Sequence, residues 1–228
     1  MTPQTPAAGF LIGPRQTLVC LGDSITENPS GYCAMLAALI AAAYPERAIR
    51  VINAGVSGNK IGDMFARVER DVLAHQPNWV TLSVGINDVW HGMVPEWAPG
   101  TPLSQFGAGA GMLVERLVSA GARVLLLPPT VIGEEPHSEG NRRLAPYRIA
   151  LREVALNYAP DHVLVAPTDR DFDIALAAGK SADPTYSLTT DGVHLRPAGD
   201  AVVALAVLRT LRFFDLLVDA EEEERDAG

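Results

Sequence analysis

Cysteine is nearly absent from this chain: two occur in 228 residues, Cys20 inside an apolar run and Cys33 in a stretch of helical periodicity. Two such positions do not make a disulfide framework; they suit a reduced compartment, with both thiols expected to be inert core groups. Positive charge is also in deficit, with 18 Lys and Arg against 27 Asp and Glu and a formal net charge of -9 at pH 7. A chain this acidic offers no basic face to a phosphate backbone or to anionic lipid, so nucleic acid is not an expected partner. No apolar run is long enough to cross a bilayer, and the stretch from Met1 to Gln16 lacks the basic start and long apolar core of a signal peptide. The expected compartment is the cytoplasm, with no membrane partner.

What is present is enough apolar content, 48% of residues, to bury one full-sized core. No break in composition suggests a second domain. Residues 1–228 are therefore expected to form one domain, with 1–15 an amino-terminal extension and 219–228 an acidic, solvated tail. Short apolar segments recur at Leu18 to Leu21, Arg50 to Asn53, Val80 to Val84, Arg123 to Leu127 and His162 to Ala166. Between and after them, helical periodicity runs over Tyr32 to Ala43, Ile61 to His75, Phe106 to Ala120, Leu144 to Tyr158 and Ala198 to Phe214. Strands alternating with helices predict an α/β fold, a five-stranded parallel sheet covered on both faces in a three-layer α/β/α sandwich. Three looser connections, His91 to Gln105, Thr130 to Arg143 and Lys180 to His194, lie at the carboxyl rim of that sheet or lead to it, where open α/β folds bind ligands. The run Gly107-Ala108-Gly109-Ala110-Gly111 opens a helix rather than following the first strand. It reads as close helix packing, not as a dinucleotide fingerprint.

Four short segments at predicted strand ends carry the chemistry. Ser24, in Gly22-Asp23-Ser24-Ile25-Thr26, directly follows the first strand and is thereby displayed at the rim. A serine hydroxyl is a weak nucleophile until a base takes its proton. Among five histidines only His194 has a carboxylate three residues before it in a glycine-containing turn, Asp191-Gly192-Val193-His194. That turn can aim both side chains at one point, Asp191 holding Nδ1–H and leaving Nε2 for the serine. His75, His137 and His162 read as surface or capping groups, while His91 stands beside Trp90 at the expected cleft rim. Acyl transfer also requires N–H donors for the developing oxyanion. The backbone N–H of Ser24, the backbone N–H of Gly55 in Asn53-Ala54-Gly55, and the Asn87 amide in Gly85-Ile86-Asn87-Asp88 are the candidates. Asp23 and Asp88 are assigned to hydrogen bonds that shape their loops. Asp23 and Trp90 are carried as candidate substrate contacts. No cofactor and no metal is implied, although Asp23, Asp88, Asp191 and His194 could also be read as ligands of a metal phosphodiesterase.

These four blocks resemble those of the SGNH, or GDSL, hydrolase superfamily over nearly the whole chain. The resemblance implies a flavodoxin-like hydrolase fold with Ser24 as nucleophile and first oxyanion donor, Gly55 and Asn87 as further donors, and Asp191 with His194 completing a triad. The stretch Asn53-Ala54-Gly55-Val56-Ser57-Gly58-Asn59, with Trp79-Val80 and Gly85-Ile86-Asn87-Asp88-Val89-Trp90, is similar to bacterial esterases that deacetylate xylan or xylo-oligosaccharides. Thr190 stands where such relatives are expected to carry an aromatic residue. Thr26 replaces the second glycine of a Gly-x-Ser-x-Gly elbow, which separates the chain from that other serine-hydrolase design. The reaction so implied is hydrolysis of short acyl esters, acetyl above all, of a small-molecule substrate such as an acetylated sugar. The competing readings are a broad aryl or lysophospholipase-like esterase and an inactive carbohydrate-binding relative. The resemblance also makes a homo-oligomer the expected assembly.

Overall fold

The computed structural model describes residues 9–97 and 99–215. The expected acidic tail, 219–228, and the first eight residues of the expected extension lie outside them. Five strands, β1 (Thr17–Gly22), β2 (Arg50–Gly55), β3 (Trp79–Ser83), β4 (Arg123–Leu127) and β5 (Val163–Val165), form an all-parallel sheet in the order β2-β1-β3-β4-β5. Central β1 is buried along its whole length, while edge strand β2 is only partly covered. The near-continuous apolar run Thr17-Leu18-Val19-Cys20-Leu21 is what a strand covered on both faces requires.

Successive strand residues enter opposite cores, as the pleat dictates. Leu18, Cys20, Trp79, Leu125 and Leu127 pack into one; Val19, Leu21, Val80, Leu82, Val124 and Leu126 pack into the other. Helices α2 (Tyr32–Ala43), α7 (Thr168–Ala182) and α8 (Pro197–Thr210) cover the first face. Helices α3 (Ile61–Asp71), α5 (Leu103–Ser119) and most of α6 (Glu139–Ala155) cover the second. Two short helices, α1 (Ser24–Glu27) and α4 (Ile86–Trp90), sit on the carboxyl rim after β1 and β3.

The five expected strands and five expected helices are all present, and the differences have local causes. Helix α6 begins at Glu139 rather than Leu144 because Ser138 caps it, its hydroxyl accepting the Asn141 N–H at 3.1 Å. Helix α7 has no clear apolar period in the sequence: Phe172 and Leu176 are its large buried side chains, Ala175 adds a small partly buried one, and Ile174 lies exposed among charges. The loop expected from Lys180 accordingly starts after Ala182. Residues 9–15, read as part of an extension, instead contribute to the core. Phe10 stacks on Tyr44 at 5.0 Å and meets Phe213 edge-on at 5.4 Å, and Ile12 is fully buried.

Two expectations follow. Phe10→Ala removes a ring from this aromatic cluster and should lower unfolding free energy by about 3 kcal/mol in urea titration; a loss under about 1 kcal/mol would place the segment outside the core. Asp200, on α8, accepts the Tyr32 N–H at 2.9 Å and lies 2% exposed. Burial pushes its carboxyl up to about 6, against the opposing pull of that N–H. Because the folded value exceeds the unfolded one, its favourable contribution is complete below about pH 4 and is lost as pH rises through about 6. Asp200→Asn keeps an acceptor for Tyr32 without the charge. Its stability relative to the unmutated protein should therefore rise between pH 4 and 7, by on the order of 1–2 kcal/mol, and a flat difference would refute the assignment.

Candidate active site

The order β2-β1-β3 reverses direction at β1, and the rim beside that reversal is where ligands bind in sheets of this kind. Gly22 ends β1, and a β-carbon there would collide with the Thr26 side chain. Asp23 then caps α1 by accepting the Ile25 N–H at 3.0 Å. Ser24 is thus the first residue of a helix, and its own N–H is one of the donors that no helical carbonyl can satisfy. Thr26 and Tyr32 share a hydrogen bond of 2.8 Å inside the core, which fixes the far side of this turn.

The partners arrive from 170 residues away. Ser24 Oγ lies 3.0 Å from His194 Nε2, and His194 Nδ1 lies 2.7 Å from Asp191 Oδ2. The other Asp191 oxygen accepts the backbone N–H groups of Val193 and His194 at 3.0 and 2.8 Å. Burial works against the Asp191 charge, yet the His194 ring and these backbone donors hold its carboxyl below the usual range. Thr190, standing in place of the expected aromatic, closes the turn: its N–H donates to the His194 carbonyl at 2.8 Å, and its hydroxyl does so at 3.1 Å. Hydroxyl, imidazole and carboxylate in series can move a proton off the serine and hold the resulting imidazolium.

The structure corrects one expected donor. The Gly55 N–H is already given to Asn53 Oδ1 at 2.8 Å, while Asn53 Nδ2 donates to the Thr26 carbonyl at 2.6 Å. Gly55 is required for closeness instead, since a β-carbon there would strike the backbone of Glu27. Three residues on, Gly58 adopts φ +77°, and among the described residues no acceptor takes its N–H. Asn87 is buried and donates from Nδ2 to the Asn59 carbonyl at 3.1 Å. That bond joins the amide to the residue after Gly58 and leaves its second N–H for other use. Arg67, which the sequence reading missed, ties these parts together. Its guanidinium donates to the Gly22 carbonyl at 2.9 Å and to Asn59 Oδ1 at 2.6 Å. A charge on the buried face of an amphipathic helix, beside Met64 and Val68, was the available signal.

Asp23 does not face a substrate: it is 2% exposed beneath Ser24, and the cap is the contact it makes. Burial raises its carboxyl to about 6, with Asp88 adding to the rise. Asp88 is likewise buried and accepts the Ile61 N–H that opens α3 at 3.2 Å. Both acids shape loops, as their positions implied. Among the described residues, no group of three or more His, Cys, Asp or Glu side chains is arranged to hold a metal ion. Trp90 lies at the rim, its ring 5.8 Å from that of His194 and 4.8 Å from that of Trp97. His91 in turn meets Trp97 at 5.2 Å. His75, His137 and His162 lie elsewhere. Among the described residues no helix is long and apolar enough to cross a membrane.

Comparison with known proteins agrees with this architecture. The GDSL-like Lipase/Acylhydrolase family matches residues 20–202. An acetylxylan esterase from Geobacillus stearothermophilus is 31% identical over 218 residues, 89% of this chain and 96% of that protein. Esterase TesA of Pseudomonas aeruginosa is 29% identical over 117 residues, 49% of this chain and 53% of its own length. Among solved structures, Axe2, an acetylxylan esterase from G. stearothermophilus, superposes with a TM-score of 0.77 at 30% identity, covering 88% of this chain and 96% of that one. LAE5, an alpha/beta hydrolase enzyme from the metagenome of Lake Arreo, Spain, does so at 0.78 and 28%, covering 90% and 99%. With a family match that runs through most of the sheet and both ends of the hydroxyl–imidazole–carboxylate series, the chain belongs to the GDSL-like lipase/acylhydrolase family and is a carboxylic ester hydrolase.

Proposed function

We propose that this single-domain protein removes short acyl groups, acetate first, from acetylated carbohydrates through an acyl-enzyme formed on Ser24. The 3.0 Å contact between Ser24 Oγ and His194 Nε2 carries the reading. As Oγ attacks the ester carbonyl, Nε2 takes its proton, and Asp191 stabilises the imidazolium. The tetrahedral oxyanion is met by the N–H groups of Ser24 and Gly58 and the free N–H of Asn87. His194 returns the proton to the departing sugar alkoxide, then takes one from water. That water attacks the acyl-enzyme and releases the acid with Ser24 restored.

The substrate class rests on two supports. The similar proteins include an acetylxylan esterase matched over nearly its whole length. The rim beside His194 also carries a tryptophan pair, Trp90 and the exposed Trp97, whose apolar faces suit the C–H face of a pyranose ring better than they suit an anionic ligand. The partial likeness to an esterase of another name keeps a broader aryl or lysophospholipid ester hydrolase as the second reading, and acyl-chain preference separates the two.

Ser24→Ala should abolish hydrolysis of p-nitrophenyl acetate, and an organophosphonate should label Ser24 stoichiometrically in the unmutated protein; turnover that persists in the variant would defeat the mechanism. Asn87→Ala should lower kcat by about 10²- to 10³-fold with the fold intact. Across p-nitrophenyl esters of rising length and acetylated xylo-oligosaccharides, kcat/KM should be greatest for acetyl groups. A preference for long chains would favour the second reading.

A further inference from the structure

The turn that carries Asp191 and His194 is exposed, and both side chains stand two-fifths or more open to solvent. Hydrogen bonds within the turn set its internal shape; they do not hold it against the rim. Leu188, Val193 and Leu195 root it in the core, Arg196 donates to the Thr189 carbonyl, and one carboxylate from a different loop fixes the backbone above them. Glu134 Oε1 lies 2.8 and 2.7 Å from the backbone N–H groups of Leu188 and Thr189. It also lies 2.9 and 2.6 Å from the hydroxyls of Ser187 and Thr189. The neighbouring Gly133 N–H donates to the Gly192 carbonyl at 2.8 Å, gripping the turn at its middle. A β-carbon at Gly192 would press within 3.3 Å of the Gly133 backbone.

The gripping loop is itself anchored. Asn141 accepts the Ile132 N–H at 2.9 Å and donates to the carbonyls of Gly133 and Glu135 at 2.8 and 2.9 Å. The Ser138 hydroxyl donates to the Ile132 carbonyl at 2.9 Å. The first turn of α6 thus fixes 132–135, and 132–135 fixes 187–192. Burial alone would raise the Glu134 carboxyl, but its hydroxyl and backbone donors hold it below the usual range, so it accepts these bonds as a full anion at neutral pH. On its other side Glu134 borders a cavity of about 360 Å³ between α6 and α7. Water can fill the space that its truncation leaves, so the effect falls on the turn rather than on the core.

We propose that Glu134 is a positioning residue for ester hydrolysis, setting the distance and angle of His194 against Ser24 by clamping the segment 187–189 that leads into Asp191. This rests on the proposed roles of Ser24, His194 and Asp191. Clamping matters because a proton relay tolerates little misplacement: displacement near 1 Å can cost about 10²-fold in rate. Loss of the clamp lets the imidazole sample positions beyond reach of Oγ while the substrate rim, carried by α4 and the segment after it, stays in place. Its signature is therefore a fall in kcat with KM preserved.

The test measures kcat, KM and the rate of Ser24 phosphonylation with p-nitrophenyl acetate and an organophosphonate, well below each variant's Tm. Glu134→Ala should lower kcat and phosphonylation in parallel by about 10- to 100-fold, with KM within about twofold. Glu134→Gln keeps one carbonyl oxygen for the Leu188 and Thr189 donors and should recover most of that loss. Phe10→Ala, destabilised in the core at the opposite end of β1, should keep the unmutated kcat, which separates positioning from stability. Should Glu134→Ala not fold, Thr189→Val, which removes one donor to Glu134 and the acceptor of the Gly192 N–H, is read in the same way. Unmutated phosphonylation and kcat in a folded Glu134→Ala or Thr189→Val protein would overturn the clamp. Failure of the unmutated protein to label at Ser24 would overturn the triad itself and the clamp with it.

Discussion

Everything at the site depends on the register of the three strands around β1. Gly22 pairs with Gly55, and Leu21 with both Ala54 and Leu82, so β1, β2 and β3 end level at one rim. Ser24, Gly58 and Asn87 each follow one of those ends within a few residues. A one-residue slip in any pair would turn a strand's apolar residues from one core into the other. The two hydrophobic cores therefore enforce the alignment that the chemistry uses. Arg67 then converts alignment into fixed geometry, because its single guanidinium holds the β1 terminus and the Asn59 side chain together.

The level rim also explains the two buried acids beside the nucleophile. Helices that start at the rim leave N–H groups to satisfy, and a buried short acidic side chain does so, from its own turn in one case and from a neighbouring helix in the other. Asp23 serves α1 and Asp88 serves α3. Both pay in desolvation, since burial raises each carboxyl and Asp88 adds to the rise at Asp23.

The fold was legible where physics acts locally. Alternating apolar strands and helical periodicity need no distant information, and they led to the right sheet with helices on both faces; on α8 the apolar spacing Val202, Leu205, Leu208 misses the buried face at Leu205, which is exposed, while Ala204 and Val207 turn inward instead. Helix α7 was illegible because its inward face is small and its charges blur the period. That Ser24, His194 and Asp191 meet could be anticipated because a serine at a strand end and an aspartate three residues before a histidine are both short-range patterns. Which glycine N–H stays free could not be anticipated: Asn53-Ala54-Gly55-Val56-Ser57-Gly58 offers two glycines, and in the folded chain Asn53 has taken the Gly55 N–H. Arg67 and Glu134 reach across 45 and 55 residues respectively to groups that no spacing rule connects to them.

The two halves of the site are built differently. Ser24, Gly58 and Asn87, the proposed nucleophile and oxyanion donors, grow directly from the sheet, where two cores fix their spacing. The histidine and its carboxylate ride on a turn after α7, rooted in the core by Leu188, Val193 and Leu195, while its backbone is fixed by hydrogen bonds from the loop between β4 and α6 and by Arg196, whose side chain donates to the Thr189 carbonyl at 2.7 Å. Hydrogen bonds to a surface turn are weaker and easier to change than strand register. Variation in those loops can therefore alter the width of the cleft and the exposure of the base without disturbing the spacing of Ser24, Gly58 and Asn87. One hydroxyl with its proposed donors can therefore serve different esters, because the spacing set by the sheet stays fixed while the loops bordering the cleft change.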